Sequence, residues 1–498
     1  MIKNKIKRKK YIDRIFAFVL STLFAVSCNI PALARDGDAM SGNSHMPTPV
    51  DSKDVEELLA GFVPVKGCDY EYDYSFEKSK DGFGNIPDSL LTTGSDKTKS
   101  LYSALDEALA KDDFFKPAKN LIIMIGSGLN IGAVEVTEHF KGDLIMNNLP
   151  NQGAQMTKSF ASSFGLKITG EFSDYVKVRS DLLVADSSST NTAIASGYKT
   201  YIDSLGYKTD GELATSFLTK AKSMGKTTGL VSNDWLDGAV MAPYLVHSLK
   251  RDLDDNEVLF RQSGQAILPL QMVDAECDLL IGTVGKAEKY GTTGADRGML
   301  GKYVIYNNWE KYLKKNEGIK LFSYYDSYGY DIEKKVHEQY EDDEKADEII
   351  AQSPSFAQLT AYTLKTLQSM SDDNGFVCVI SDSVINNYAH VAKLGAEANE
   401  IMNFDEGVAV SLKFVLENPD TALIVLSDHD AGGVKLEKGW EENPLVLSYS
   451  AYNYHCPNNI PIYAIGYGTE IFNKRIIQNA YVGRVIGYMT GIAEPDAR

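Results

Sequence analysis

The sequence predicts an α/β fold with a mainly parallel central sheet and helices on both of its faces. Five short apolar runs are separated by segments long enough to hold helices, at 120–126, 227–232, 375–380, 421–426 and 460–465. Continuous apolar runs are typical of parallel strands that are covered on both faces. Polar residues cluster just after several of these runs. Because ligands in such sheets bind at the carboxyl ends of the strands, we expect the functional site at that edge.

Residues 1–34 have the pattern of a signal peptide. Six basic side chains fall within the first ten residues, and the apolar run 15–26 is short for a membrane span. Residues 32–34 (Ala-Leu-Ala) fit a cleavage site of the small-x-small type. A lipid anchor on Cys28 is a poorer match, and only that anchor would attach the chain to a membrane. We therefore expect an exported protein, periplasmic or extracellular.

The mature chain divides into an arm and a main domain. Residues 35–117 are polar, rich in Gly and Asp and weakly patterned, which predicts an N-terminal arm that is partly flexible. The α/β pattern occupies 118–498, with a helix expected over 213–224 before the second strand. Residues 252–355 interrupt the pattern with a polar, charged stretch. We interpret that stretch as an insertion over one edge of the sheet.

Composition limits the classes of partner. The chain has 498 residues, of which 44% are hydrophobic, so it can bury a large core. Its formal net charge of −18 argues against nucleic acid, which requires a basic surface. A small phosphorylated substrate or another anionic ligand is not excluded, because its binding depends on the charges within one site and not on the net charge of the chain. The oligomeric state, a homodimer included, is left open.

Four cysteines follow the signal peptide: Cys68, Cys277, Cys378 and Cys456. An even number in an exported protein permits two disulfides, and the sequence leaves their pairing open. Because Cys378 lies inside an apolar strand, a buried free thiol is equally compatible there. The spacings do not match those of a zinc site built from paired cysteines.

A serine at the start of a predicted helix is the first candidate for chemistry. Asp186-Ser187 follows the apolar run 182–185, which predicts a short strand, and precedes a helical segment. Backbone N–H groups at a helix start favour an anion, and a serine placed there can attack phosphorus. The alternative is that Asp186 serves only as a helix cap.

Three of the seven histidines fall beside predicted strands. Asp428-His429 follows the strand 421–426, His390 lies four residues after Asn386, and His455 precedes the last strand. Aspartate and neutral histidine are both zinc ligands, so these side chains predict a metal centre. A structural role for each histidine is the alternative.

Taken in order, these motifs resemble the alkaline phosphatase family over about residues 118–495, with 252–355 poorly matched. The resemblance implies that Ser187 is a nucleophile that forms a phosphoserine. It implies that Arg251, shortly after His247, binds the phosphoryl group. It also implies zinc ligands, which are Asp428, His429, His390, His455 and, weakly, the position of Asn386.

The departures from the family pattern concern the metals. The family has carboxylates where this chain has Ser127, Ser381 and Asn386, and a Thr ligand near Ala239, two residues after Asp237. Magnesium requires hard oxygen ligands, usually including carboxylates, so we expect its site to be lost, with Asp237 at most an outer-shell residue. Two close zinc ions need anionic ligands to offset their repulsion. We therefore expect one or two zinc ions, bound with reduced affinity.

Two functions from different classes follow. The first is a phosphate-monoester hydrolase of the alkaline phosphatase type, slow or with altered metal content. The second is a non-catalytic relative that binds a phosphorylated or anionic ligand. A sulfate-ester hydrolase is a distant third, because its modified Cys or Ser motif is not found in the sequence.

Overall fold

The structure is a computed structural model. It describes residues 48–62, 117–157, 160–164, 176–178, 184–249, 271–272, 274–283, 304–306, 320–322 and 354–492. The predicted signal peptide with Cys28, the remainder of the arm with Cys68, and Arg251 lie outside the described residues.

The secondary-structure elements follow one another as strands and helices in alternation. The strands are β1 (Thr48–Pro49), β2 (Asn120–Gly126), β3 (Asn151–Met156), β4 (Phe160–Phe164), β5 (Val176–Val178), β6 (Tyr201–Ile202), β7 (Thr227–Trp235), β8 (Leu279–Thr283), β9 (Val304–Tyr306), β10 (Lys320–Phe322), β11 (Phe376–Asp382), β12 (Thr421–Leu426), β13 (Asp430–Ala431), β14 (Val434–Lys435), β15 (Ser448–Tyr449), β16 (His455–Cys456), β17 (Ile460–Ile465) and β18 (Ile476–Gln478). The helices are α1 (Ser52–Leu59), α2 (Ile131–Lys141), α3 (Ser187–Ser196), α4 (Phe217–Ser223), α5 (Phe356–Met370), α6 (Val384–His390), α7 (Leu394–Glu417) and α8 (Asn479–Thr490).

The central sheet has the strand order β18-β3-β17-β12-β2-β11-β7-β8-β10-β9. Every neighbouring pair in this order is parallel except the two pairs made by β17, with β12 and with β3. The expected mainly parallel sheet is therefore confirmed. The carboxyl ends of β2, β12, β11 and β7 meet at one edge, which is where the site residues lie.

Both faces of the sheet are covered. Along β2, Leu121, Ile123 and Ile125 belong to a buried cluster that includes residues of α3, α4 and α8. Ile122 and Met124 point the other way, into a cluster that includes residues of α5 and α7. Successive side chains of a strand point to opposite faces, so an unbroken apolar run is what two covered faces require.

The five predicted core strands are present in the structure, but the ends of some of them differ from the prediction. The runs 120–126, 421–426 and 460–465 match β2, β12 and β17, whereas β7 and β11 each continue past the predicted run into polar residues. Helix α4 covers residues 217–223 of the predicted 213–224. Residues 184 and 185 of the run expected to be a strand before Ser187 are not in a strand. Residues 182 and 183 lie outside the described residues.

The described part of the insertion extends the sheet. Strands β8, β9 and β10 all fall within 252–355. Strand β8 pairs with β7, β10 with β8 and β9 with β10, all in parallel. The described strands of the insertion therefore lie at one edge of the sheet, as the sequence indicated, and form part of it. That contribution was not predicted, because the strands are only three to five residues long.

Part of the arm packs on the main domain. Strand β1 pairs with β15, and Val55 and Leu58 of α1 are buried with Leu394 and Tyr449. Lys393 forms an ion pair with Asp51, with 2.7 Å between Nζ and Oδ2. Because β15 precedes the loop that leads to His455, the arm supports one side of the site.

Asp54 of α1 gives a first test of this packing. Burial raises its pKa from the ordinary 3.8 to about 6, opposed by the amide of Gly395 and the charge of Lys393. A raised folded-state pKa means that stability falls as the pH rises from about 3.8 to about 6. Asp54→Asn should therefore stabilise the protein by about 1–3 kcal/mol near pH 8 and by little near pH 4.

Urea unfolding of both proteins across this pH range measures the difference. Asp51→Asn is the matched control, because Asp51 has a lowered pKa and its charge stabilises the folded state. That control should lose stability at the pH where Asp54→Asn gains it. A variant at Asp54 that is no more stable at pH 8 than the parent would contradict the expectation.

None of the described cysteines forms a disulfide. Cys277, Cys378 and Cys456 are buried and unbridged. Burial raises the pKa of Cys277 and of Cys456 to about 12, so both stay protonated. Among the described helices, none combines the length and the apolar character needed to cross a membrane.

Candidate active site

Helix α3 begins at the candidate nucleophile. Asp186 is extended and its Oδ1 accepts a hydrogen bond from the backbone N–H of Ser189, at 3.1 Å, so it caps the helix. Its Oδ2 accepts from the N–H of Asp203, at 3.1 Å. The cap sets Ser187 at the first helical position, buried at the carboxyl edge of the sheet. The two interpretations of this motif are compatible, since Asp186 caps the helix that presents Ser187.

Ser187 lies beside a histidine from the opposite end of the chain. Its Oγ is 2.9 Å from Nε2 of His429, 242 residues later in the sequence. The loop after β12 carries His429 together with Asp428, and both are fully buried. The structure therefore brings Ser187 and the Asp428-His429 pair together.

The carboxylate of Asp428 accepts four hydrogen bonds from the protein. Oδ1 accepts from the backbone N–H of Gly128, at 3.1 Å, and from that of His429, at 2.9 Å. Oδ2 accepts from Oγ of Ser127, at 3.1 Å, and from Nδ2 of Asn191, at 2.8 Å. Burial raises the pKa of Asp428 to about 6, and these donors oppose that rise. The carboxylate is held from three separate segments of the chain.

His390 and His455 complete the cluster. Their Nε2 atoms are 3.2 Å apart, and the ring of His455 stacks on that of His429 with 3.6 Å between centroids. Nδ1 of His455 lies 3.0 Å from the carbonyl oxygen of Ala185, to which it donates. That bond fixes the tautomer and turns the Nε2 lone pair into the pocket, as metal-binding histidines commonly require.

Asn191 and Tyr244 are site residues that the sequence reasoning missed. Asn191 lies four residues after Ser187, one helical turn along the same face, which is the one local signal for it. Its Nδ2 also donates to the carbonyl of Ser187, at 2.9 Å. Tyr244 donates from its hydroxyl to Oδ1 of Asn191, at 3.3 Å. No local pattern indicates Tyr244, which comes from a short 3-10 helix after β7.

The residues fit one zinc position. Two nitrogen ligands of a tetrahedral zinc ion, each about 2.0–2.1 Å from the metal, lie about 3.3 Å apart, close to the separation of the His390 and His455 Nε2 atoms. Asn386 precedes His390 by one turn of α6, and its buried Oδ1 has no hydrogen-bond partner among the described residues. Two imidazoles and one orphaned amide oxygen therefore form a neutral donor set.

The residues do not fit a second and a third metal position. Oxygens of Asp428 are already engaged, and Ser127 contributes a hydroxyl where a bridging carboxylate would be needed. Within the described ranges, no three His, Cys, Asp or Glu side chains form a group that could hold a metal ion. These residues therefore do not form a centre with several metal ions of the kind that the family pattern implies.

Asp382 does not replace the missing magnesium carboxylate. Val377 and Val379 of β11 pack on the face that carries α3, whereas Cys378 and Ile380 pack on the opposite face. By strict alternation Asp382 falls on that opposite face. Burial and the charge of Glu400 in α7 raise its pKa well above its usual range. Its carboxyl group therefore lies on the side of the sheet away from Ser187.

Two sequence candidates remain, Asp237 and Arg251. Asp237 is buried in the loop after β7. The close approach of Gly128 to α6 was also not predicted: a Cβ there would lie 2.8 Å from Cα of Asn386. Gly128 has a φ of +77°, so glycine is required both by the backbone and by the space. Arg251 lies outside the described residues, and its proposed phosphate contact stays a prediction.

Comparison with known proteins agrees with the resemblance. A model of the alkaline phosphatase family matches residues 118–471. The chain is similar to alkaline phosphatase 4 of Bacillus subtilis (strain 168), with 23% identity over 366 residues, which are 72% of this chain and 72% of the relative. It is also 23% identical over 369 residues to the alkaline phosphatase of Escherichia coli (strain K12), covering 67% of this chain and 73% of that protein.

Solved structures show the same fold. The alkaline phosphatase from the Antarctic bacterium TAB5 superimposes with a TM-score of 0.56 and 21% identity, covering 76% of this chain and 99% of the other. The alkaline phosphatase of Thermus thermophilus gives a TM-score of 0.60 at 17% identity, with 76% and 92% covered. The family model spans most of the chain and all of the site residues described above. The chain therefore belongs to the alkaline phosphatase family, and this membership supports phosphomonoesterase activity at the level of the family.

Proposed function

We propose that the protein hydrolyses phosphate monoesters through a phosphoserine at Ser187. The observation that carries the proposal is the 2.9 Å contact between Ser187 Oγ and His429 Nε2 at the start of α3. A serine with a hydrogen-bonded base within reach is the arrangement that nucleophilic catalysis requires. The placement at the carboxyl edge of a parallel sheet supports it.

The reaction proceeds in two displacements. Ser187 Oγ attacks phosphorus while its proton passes to Nε2 of His429, and the ester oxygen leaves and takes a proton from a water molecule to become the alcohol. The resulting hydroxide attacks the phosphoserine, the proton on His429 returns to Ser187 Oγ as that oxygen leaves, and inorganic phosphate is released. Accepting the proton at Nε2 requires the His429 tautomer that carries its hydrogen on Nδ1.

The start of α3 supplies the anion-binding environment. The first backbone N–H groups of a helix lack partners within the helix and carry partial positive charge. A phosphoryl group on Ser187 would lie at this terminus, where an anion is favoured. Burial of the pocket strengthens these interactions because water screens them less.

Zinc is part of the proposal at one position. His390, His455 and Asn386 would hold it, and a bound zinc ion supplies Lewis-acid stabilisation of phosphoryl and leaving-group oxygens. With a neutral donor set its affinity is reduced, so activity depends on the free zinc concentration. Export of the mature chain remains a proposal that rests on residues 1–34.

Phosphoenzyme trapping tests the proposal. The mature protein is incubated with zinc and an aryl phosphate, quenched in acid during turnover, digested and examined by mass spectrometry. We expect phosphate on the peptide that contains Ser187, localised to that side chain. Ser188→Ala is the matched control and should still be labelled, because the Ser188 hydroxyl is engaged with Asp186.

Two results would contradict the proposal. Label on another residue would remove Ser187 as the nucleophile. Zinc-loaded protein that binds phosphate but releases no alcohol would favour the non-catalytic relative, a candidate supported by the missing carboxylates at Ser127 and Asn386.

A further inference from the structure

We propose that Asn191 and Ser127 take the place of a metal ion at Asp428, so that the pocket holds one zinc ion. The inference rests on the site of the proposed function and concerns its metal content. Asn191 is thereby assigned as a positioning residue. Asn191 contacts Asp428, and through Asp428 it holds the loop that carries His429.

The argument begins with the acceptor capacity of a carboxylate. Two oxygens offer about four lone-pair directions. In Asp428 each oxygen accepts two hydrogen bonds, at 2.9 and 3.1 Å for Oδ1 and at 2.8 and 3.1 Å for Oδ2. All four directions are used, so no lone pair remains for a cation.

The donors are held in place independently of any metal. The Tyr244 hydroxyl donates to Oδ1 of Asn191, which orients the amide so that Nδ2 faces Asp428. Burial and the nearby charge of Asp428 raise the pKa of Tyr244 well above its usual range, so the hydroxyl keeps its proton. Nδ2 of Asn191 is further fixed by the Ser187 carbonyl. Neutral donors therefore offset the buried charge that a metal ion would otherwise offset.

The other half of the pocket has the opposite character. The Nε2 atoms of His390 and His455 lie 3.2 Å apart, and among the described residues no donor reaches Oδ1 of Asn386. Two imidazole nitrogens beside an oxygen that accepts no hydrogen bond favour a cation, whereas a carboxylate surrounded by donors does not. The pocket thus has a metal-binding half, around His390 and His455, and a half in which hydrogen-bond donors offset the charge of Asp428.

Zinc titration of the purified mature protein, with metal content by elemental analysis, measures the stoichiometry. We expect one zinc per chain. Asp428→Asn should leave the zinc dissociation constant within about threefold, whereas His390→Ala should weaken it by about 100-fold or more, as expected for loss of a ligand. Thermal unfolding checks that each variant is folded.

A matched pair at Asn191 tests the same point by gain of binding. Asn191→Asp replaces the donor with an anionic ligand beside Asp428, so a second zinc should bind. Asn191→Leu removes the donor without adding a ligand, so the count should remain one. X-ray absorption at the zinc edge of the wild-type protein should show two imidazole ligands.

Several outcomes would overturn the inference. They are two zinc ions in the wild-type protein, none at all, a third imidazole ligand, or zinc affinity that falls with Asp428→Asn as it does with His390→Ala. Each readout is independent of turnover. If the wild-type protein binds one zinc ion through two imidazoles but hydrolyses no phosphate monoester, the proposed function is wrong and this inference stands.

Discussion

Replacing Ser187 with alanine should lower kcat/KM for an aryl phosphate by about 10³-fold or more, because loss of a nucleophile removes the covalent pathway altogether. The side chain is small and its carbonyl still accepts from Asn191, so the fold should survive. Steady-state hydrolysis at fixed free zinc measures the effect. Zinc content should remain one per chain, since Ser187 is not among the proposed ligands.

Ser188→Ala controls for the loss of a buried hydroxyl in the same helical turn. It should reduce kcat/KM by less than about tenfold, because Asp186 still caps α3 through the Ser189 amide. If Ser187→Ala retained activity within tenfold of the parent, hydrolysis would proceed without the phosphoserine and the proposed mechanism would be wrong.

Restoring two carboxylates should raise zinc binding and phosphatase rate together. Ser127→Asp removes one donor to Asp428 and places a second carboxylate about 3 Å away, where two like charges favour a cation between them. Asn386→Asp adds charge to the His390 and His455 donor set. We expect two zinc ions per chain and an increase in kcat/KM of about tenfold or more, since each 1.36 kcal/mol off the barrier is tenfold.

Two controls distinguish the effect of added charge from the effect of its position in the site. Ser371→Asp with Asn374→Asp adds the same two charges near the amino end of β11, at the other edge of the sheet, and should change neither property. Adding Ser187→Ala to the restored variant should abolish the gain. A restored variant that binds zinc firmly yet hydrolyses no phosphate monoester would show that the pocket has diverged beyond its metals.

The fold was predictable because its signal is local. Strands β2, β12 and β17 are unbroken apolar runs, and an unbroken run can be buried only in a sheet covered on both faces. His390 and His429 follow from the same logic, since parallel strands carry the residues after them to one edge. His455 reaches that edge for another reason: it precedes β17, which runs antiparallel to β12. The short edge strands β9 and β10 carry too few residues for such a signal.

The geometry within the site was not local and could not be predicted. Ser127 and Asp428 are 301 residues apart, and only the pairing of β2 with β12 brings them to 3.1 Å. Side chains alternate between the two faces of a sheet along a strand. The face on which Asp382 lies therefore depends on which residues of β11 face each side, and this is set by the register of β11 in the sheet. The sheet and the helix that begins at Ser187 could be predicted from the sequence, and so could the presence of Ser127 and Asn386 where the family pattern has carboxylates. Only the fold brings Nδ2 of Asn191, whose Oδ1 accepts from the Tyr244 hydroxyl, to the carboxylate of Asp428, because hydrogen bonds between distant segments depend on packing and not on spacing along the chain.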